Sequence, residues 1–147
     1  MKKYFFITMT LLIMLLIFSF SSESGAESVN RSDIISEIVR KLLPYHINFK
    51  VASRITRKGA HFAVYFLLAI FLQMNFSDNC RKRKNKLIVL SLVFLYACTD
   101  EYQQSFVAGR GSRFTDVLID TSGGMISVFM MEMWRRFKNS LVADYAN

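Results

Sequence analysis

The stretch TDEYQQSFVAGRGSRFTD, at residues 99–116, concentrates ionisable and amide side chains between two apolar runs. Asp100 and Glu101 are adjacent carboxylates, and Gln104 shares a helix face with Asp100. Arg110 follows in the segment that joins the two runs. A carboxylate can act as a general acid or base, and an arginine can hold a phosphate through two parallel hydrogen bonds. Because carboxylates at membrane depth are costly unless paired or hydrated, we expect them to face one another or a water-filled cleft.

Two other apolar runs begin with ionisable residues at helical spacing, and the topology below brings them to the same side. The predicted functional cluster consists of Lys58, His61, Tyr65, Asp100, Glu101, Gln104, Arg110, Asp116 and Asp120. We expect His61 to be at least partly protonated at neutral pH, because carboxylates from two other runs converge on it. The cluster could bind a ligand or could only tie three helices together through ion pairs, and the sequence leaves both interpretations open.

Four runs predict membrane-spanning helices. They are Tyr4–Phe20, Gly59–Phe76, Lys86–Tyr102 and Asp116–Trp134. At 1.5 Å per residue each reaches about 25–28 Å, close to a hydrocarbon core of about 30 Å. The 147-residue chain is 52% hydrophobic, which leaves little polar surface for a soluble bundle of four such helices. The predicted fold is therefore a single all-α polytopic membrane domain over residues 1–147, with four transmembrane helices.

The net charge of +8 does not point to nucleic acid, because the basic residues cluster beside the apolar runs and form no single stripe. The expected partner is the lipid bilayer. The densest basic cluster, RKRKNK at 81–86, joins the second and third runs. Positively charged loops remain in the cytoplasm, so we predict a multi-pass cell-membrane protein with both termini cytoplasmic and the polar cluster facing outward.

The first run, residues 4–20, has two open interpretations. It is long for a signal peptide and short for a comfortable span, and we favour a retained span. A cleaved signal peptide is the alternative, with Ser24 and Ala26 as small residues before the cut. Both interpretations leave the polar cluster on the outer face.

The sequence SDIISEIVRKLLP predicts an amphipathic helix after the first run, with Ser32 as its N-cap and Pro44 as its stop. Its apolar stripe consists of Ile34, Ile35, Ile38, Val39, Leu42 and Leu43. We expect this helix in the outer membrane interface. Contact with a lipid-like ligand and packing against the bundle are the alternatives.

Known catalytic and metal-binding spacings are not found in the sequence. It has no HExxH zinc pair and no G-x-S-x-G elbow, so we expect no metal or other cofactor and assign no catalytic residue. Cys80 and Cys98 suggest neither a disulfide nor a metal site. Gly123 and Gly124 are predicted close-packing positions between helices. The aromatic residues near the ends of the runs predict interfacial anchors, and these are Tyr4, Tyr65, Tyr102 and Trp134.

Three motifs in order resemble the VanZ-like family of small bacterial membrane proteins. They are K-x-x-H-F-x-x-Y at 58–65, D-E-x-x-Q at 100–104 and G-R-x-x-x-x-x-D-x-x-x-D-x-x-G at 109–123. The resemblance covers about residues 55–130. The chain departs from the family pattern at Ala108, where Pro is common, and at Asp120, where Asn is common.

The founding member of that family is associated with low-level resistance to teicoplanin, a lipoglycopeptide antibiotic. The resemblance therefore implies a bacterial plasma membrane and an outward site that meets either the antibiotic or a lipid-linked wall precursor. An enzyme that modifies such a precursor or a phospholipid head group is the alternative, with His61 or Glu101 as acid or base and Arg110 with Lys58 holding phosphate. A structural partner of another membrane protein is the second alternative. We favour a non-enzymatic factor, because the sequence shows no pair of nucleophile and base.

Overall fold

The computed structural model describes residues 2–42, 48–76 and 82–145, and within these ranges the only regular elements are helices. Five helices follow one another: α1 (Lys2–Ser21), α2 (Gly25–Leu42), α3 (Phe49–Asn75), α4 (Arg83–Gln104) and α5 (Phe114–Tyr145). The predicted all-α fold is confirmed. The predicted stop at Pro44, the stripe residue Leu43 and Cys80 lie outside the described residues, whereas Cys98 carries a free thiol.

Three of these helices, α1, α3 and α5, are long and apolar enough to cross a membrane. The prediction of four spans is therefore confirmed for three helices only. Helix α4 is too polar to meet the same criterion. Asp100 and Glu101 lie near its end, and Arg83, Lys84 and Lys86 lie at its start. The stretch of α4 without charged residues is limited to residues 87–99.

Helix α3 begins at Phe49, more than two turns before the predicted start at Gly59. The side chain of Asn48 caps it by accepting a hydrogen bond from the Val51 N–H at 3.0 Å. With 27 residues, α3 is about 40 Å long and exceeds a hydrocarbon core of about 30 Å. Its first turns therefore carry their basic side chains beyond the apolar part of the helix.

Helix α2 also begins earlier than predicted, because a capping box starts it at Gly25. The Ser24 N–H donates to Glu27 Oε2 at 2.9 Å, and the Glu27 N–H donates to Ser24 Oγ at 3.3 Å. The prediction of Ser32 as the N-cap is wrong. Ser32 lies inside the helix, and its hydroxyl donates to the Ser28 carbonyl oxygen at 3.0 Å.

Small residues, and not the apolar stripe, pack α2 against the bundle. Its buried face carries Ser32 and Ser36, and the neighbouring α3 buries Ala52 and Ser53. The exposed residues of the stripe are Ile34, Ile35, Ile38 and Leu42. Ile34 is 79% exposed, so these four side chains do not pack on the bundle and are directed away from the protein.

The core lies between α1, α3, α4 and α5, and outward-facing side chains are also apolar. The buried core residues are Ile17, Tyr65, Leu68, Ala69, Val89, Val93, Ala97 and Val117. The prediction of Tyr65 as an interfacial anchor is wrong, because its side chain is fully buried. Exposed apolar residues such as Leu15, Leu67, Leu95 and Phe129 cover the outside of these helices, as expected for lipid contact.

Two adjacent glycines bring α5 against its neighbours on both sides. A Cβ atom on Gly123 would lie 2.4 Å from the Phe62 carbonyl oxygen of α3. A Cβ atom on Gly124 would lie 2.8 Å from Val93 Cγ1 of α4. The predicted close-packing role of both glycines is confirmed, and this packing sets the spacing of the three helices that carry the polar cluster.

Candidate functional site

A cavity of about 180 Å³ opens where the end of α4 and the loop after it meet α3 and the start of α5. The lining includes seven of the nine predicted site residues, and these are Lys58, His61, Glu101, Gln104, Arg110, Asp116 and Asp120. The other two residues do not line the cavity. Asp100 is buried next to His61, and Tyr65 is buried one helical turn beyond His61. The structure therefore brings all nine residues to one place, although they come from three helices and one loop.

Lys58 pairs with Asp116 and links α3 to the start of α5. The Lys58 ammonium group contacts Asp116 Oδ1 directly, and both side chains remain partly exposed. Thr115 adds a longer hydrogen bond, from its hydroxyl to the same carboxylate oxygen at 3.4 Å. The pair neutralises one acid and one base at the cavity edge.

Asp100 and Gln104 join the end of α4 to the end of α1. Gln104 Nε2 donates to Asp100 Oδ2 at 3.1 Å and to Ser21 Oγ at 3.2 Å, and all three side chains are buried. The position of Gln104 beside Asp100 was predicted, whereas Ser21 was not among the predicted site residues. No motif in α1 distinguishes Ser21 from its neighbouring serines, because only tertiary packing brings this residue to α4.

The His61 ring lies between two buried carboxylates. Its Nδ1 atom is 3.7 Å from Asp100 Oδ2 and 3.7 Å from Asp120 Oδ2. The histidine side chain is 24% exposed, whereas the two aspartate side chains are almost fully covered. Two neighbouring carboxylates favour the protonated form of His61, and this protonation remains a prediction.

Glu101 holds the loop that leads into α5. Its Oε2 atom accepts a hydrogen bond from the Arg113 backbone N–H at 2.8 Å, and the Glu101 side chain is buried. An N–H just before a helix has no partner within that helix, so a carboxylate is a favourable acceptor there. Glu101 therefore has a structural role in addition to any chemical one.

Arg110 lies on a loop that is fixed against α1 and α2. Its Nη2 atom donates to the Phe20 carbonyl oxygen at 2.8 Å, in the last turn of α1, where carbonyl groups lack partners within the helix. Gly109 has a φ of 74°, in the left-handed region that favours glycine. The Gly25 N–H donates to the Ala108 carbonyl oxygen at 3.1 Å, which joins this loop to the start of α2.

Arginines dominate the electrostatics of the cavity. Burial lowers the pKa of Arg110, and the nearby charge of Arg57 lowers it further, against the raising effect of Asp100, Glu23 and Glu101. The Nε atoms of Arg57 and Arg110 are buried, and neither has a hydrogen-bond partner within the described part of the chain. Two guanidinium groups with unused donors in one cavity can receive an anion.

Arg54 and Arg57 also line the cavity, beside Lys58 and His61, although neither was among the predicted site residues. Their spacing indicates a shared helix face, because the four residues fall at positions i, i+3, i+4 and i+7 of one helix. The predicted start of the apolar run at Gly59 placed both arginines in a long loop, where helical spacing does not apply.

The helices and the cavity define a small membrane protein with a polar site at one end of its bundle. Among models of protein families, the VanZ/LLP1 model matches residues 6–135. The match spans most of the chain, so this protein belongs to the VanZ/LLP1 family. It extends beyond the three motifs to α1 and α2, and it confirms the resemblance that the motifs indicated. No curated protein and no solved structure matches the chain significantly.

Proposed function

We propose that this protein binds the phosphate-bearing head group of a lipid-linked wall precursor in an outward-facing cavity and thereby lowers susceptibility to teicoplanin. The observation that carries the proposal is the convergence of four arginines on one cavity, two of them with buried and unpaired Nε donors. These arginines are Arg54, Arg57, Arg110 and Arg113. An anionic head group would supply the missing acceptors.

The planar guanidinium fork of arginine matches the geometry of phosphate oxygens, and both hydrogen bonds are charge-assisted. The carboxylates of the cavity oppose an anion less than their number suggests, because Lys58 already neutralises Asp116. Glu101 in turn accepts the Arg113 backbone N–H. The side of the cavity formed by arginines therefore remains available to a diphosphate or a phosphate monoester.

The length of α3 supports a position at the level of the lipid head groups. The first turns of α3, which carry Arg54 and Arg57, extend past the hydrocarbon core when the apolar remainder of the helix spans it. The exposed apolar stripe of α2 then lies in the acyl boundary beside the cavity. A lipid would reach the site with its head group in the cavity and its chain in the bilayer.

We also propose a membrane topology with four spanning helices. Helix α4 packs against α1, α3 and α5 and buries the acidic end that makes its composition too polar, so we propose that it is the fourth helix across the membrane. The basic segment at 81–86 then faces the cytoplasm together with both termini. The cavity, at the other end of α4, faces outward.

Protection against teicoplanin would follow from competition at the outer surface. Teicoplanin carries an acyl chain that anchors it near its wall-precursor target, whereas vancomycin lacks that chain. A protein that holds the precursor head group, or the acylated drug, beside the apolar stripe would interfere with the anchored drug more than with vancomycin.

The test is drug susceptibility after deletion and re-expression of the protein. We expect re-expression to raise the inhibitory concentration of teicoplanin more than that of vancomycin. Arg57→Lys and Arg110→Lys should lose the protection, because a lysine keeps the charge but not the fork. Arg136→Gln is the matched control, since Arg136 pairs with Glu132 on an exposed part of α5 away from the cavity. Equal shifts for both drugs, or full protection by both lysine variants, would contradict the proposal.

An enzyme is the second candidate, and the position of His61 favours it. The ring lines the same cavity and is flanked by two carboxylates, which is the environment of a general acid or base. The test is conversion of a labelled polyprenyl diphosphate or phospholipid by the purified protein. Product formation that His61→Gln abolishes would support the enzyme, and an unchanged lipid at saturating protein would exclude conversion of these two substrates.

A further inference from the structure

One histidine and two aspartates from three different helices come together at the cavity: His61 and Asp120 line it, and Asp100 is buried next to His61. One possible ligand atom from each of His61, Asp100 and Asp120 lies within 4.8 Å of the other two. His61 Nδ1 is 3.7 Å from the Oδ2 atom of each aspartate, which is too long for a hydrogen bond. Two ligand atoms that bind one ion tetrahedrally at about 2.1 Å lie about 3.4 Å apart, so the observed spacing is close to that of a shared cation.

The two buried carboxylates of this cluster differ in their hydrogen bonding. Asp100 accepts hydrogen bonds from the side chains of Gln104 and Ser21. Asp120 Oδ2, on a side chain that is 2% exposed, has no hydrogen-bond partner among the residues that the structure describes. Two carboxylates in one buried place repel each other, and an unpaired buried oxygen is unfavourable unless a cation or a donor faces it.

A third buried group points to the same place. The Tyr65 hydroxyl lies one helical turn beyond His61, and it too is buried without a hydrogen-bond partner in the described ranges. The negative charges of Asp100 and Asp120 act on this hydroxyl, so an unsatisfied carboxylate oxygen and an unsatisfied hydroxyl occur in the same buried region of the bundle.

We propose that His61, Asp100 and Asp120 bind a divalent first-row transition-metal ion such as Zn²⁺ or Mn²⁺. The imidazole nitrogen decides the class of ion, because Mg²⁺ and Ca²⁺ prefer ligand sets of oxygen atoms, whereas zinc and manganese accept histidine with carboxylates. A divalent cation would also balance the two buried negative charges. Since a metal needs the free electron pair of Nδ1, the ion and the proton of an imidazolium compete for the same atom.

The site goes beyond the proposed binding of a lipid head group and does not depend on it. Its three ligands come from α3, α4 and α5, so a bound ion would fix the helices that form the floor of the cavity. It would also add positive charge beneath the arginines.

The experiment measures metal content of the full-length protein in detergent micelles, purified through an affinity tag without histidine. After chelator treatment, the protein is dialysed against Zn²⁺ or Mn²⁺ with excess Mg²⁺, and the ratio of metal to protein is determined by mass spectrometry. We expect about one ion per chain for the wild type and loss of that ion in Asp120→Asn and His61→Gln. Asp116→Asn should keep it, because Asp116 is a cavity carboxylate that pairs with Lys58 instead.

A second measurement covers the case in which the ligand variants do not fold. His46, the other histidine of the chain, is changed to Gln, and the protein is loaded with Co²⁺. Paramagnetic shifts of the His61 ring signals would support the site, and unchanged ring signals would overturn it. The proposal is equally overturned if the wild type binds neither ion stoichiometrically, or if Asp120→Asn and His61→Gln both retain it. The arginine variants report on the head-group site separately, so either proposal can fail while the other stands.

Discussion

The substitution Gly123→Ala should separate α5 from α3 and disturb the whole cavity. The new Cβ atom would lie 2.4 Å from the Phe62 carbonyl oxygen, about 1 Å inside ordinary van der Waals contact, which begins near 3.4 Å. The contacted atom belongs to the backbone of a helix, so it cannot rotate away and the two helices must move apart. His61 directly precedes Phe62, and Asp120 lies one turn before Gly123, so this separation widens the gap between two of the proposed metal ligands.

The expected magnitude follows from two opposing effects. Replacing a glycine inside a helix by alanine stabilises the helix by up to about 1 kcal/mol, whereas overpacking a tight contact costs about 1–3 kcal/mol. For Gly123→Ala the overpacking should dominate, with a net loss of about 1–2 kcal/mol. For Gly124→Ala the contact is the methyl group Val93 Cγ1 at 2.8 Å, which belongs to a buried side chain and not to a helix backbone. A β-branched side chain rotates little in a helix, so Val93 must shift, and the net loss should be smaller than for Gly123→Ala, about 0–1 kcal/mol. For Gly59→Ala no atom lies within 4 Å, so about 0.5–1 kcal/mol should be gained.

The assay is the free energy of unfolding of the three variants in mixed detergent and SDS micelles, followed by helical circular dichroism. The expected order of stability, from highest to lowest, is Gly59→Ala, wild type, Gly124→Ala and Gly123→Ala. Equal stability of Gly123→Ala and Gly124→Ala would contradict this prediction, because a clash with the backbone would then cost no more than a clash with a side chain. The prediction also fails if Gly123→Ala is destabilised but retains the metal stoichiometry of the wild type.

Three further predictions follow from the ion pair, the topology and the helix cap. Lys58→Met should destabilise the protein by about 1 kcal/mol because it leaves Asp116 without its partner in a partly exposed position, and a double-mutant cycle with Asp116→Asn should show coupling of at least about 0.5 kcal/mol. Reporters fused after Phe76 and after Tyr102 should report opposite sides of the membrane, and the same side for both would exclude α4 as a span. Ser24→Ala should cost about 1 kcal/mol and increase hydrogen exchange in the first turn of α2, whereas unchanged exchange would show that the capping box does not stabilise that end.

Much of the site was predictable because its residues lie at the ends of apolar runs. A long apolar helix has few places for a carboxylate, so Asp100, Glu101 and Asp116 were expected at one end of the bundle once the order of the runs was known. Periodicity also placed His61 one turn from Lys58. The motifs that these residues form resemble those of the VanZ-like family, and the family match over residues 6–135 confirms that resemblance.

The boundaries of α2 and α3 were less predictable, because both helices continue through polar sequence. The apolar run of α3 begins only after Lys58, but the helix itself extends back to its N-cap at Asn48. The direction of the α2 stripe was also ambiguous. In water an apolar stripe packs inward, whereas in a membrane small residues pack between helices and apolar ones face lipid. Ser36 is buried and Ile34 is exposed, so α2 follows the second rule.

The sequence by itself determined which side chains gather at one end of the bundle, because chain order and helix length fix the end at which each residue lies. Only the tertiary structure decided their partners. Lys58, and not Arg110, neutralises Asp116, and Arg110 donates to the end of α1 instead. Helical spacing describes neighbours within one helix, whereas these contacts depend on how far apart and at what rotation different helices pack. That spacing is set at Gly123, where a missing side chain lets two backbones touch.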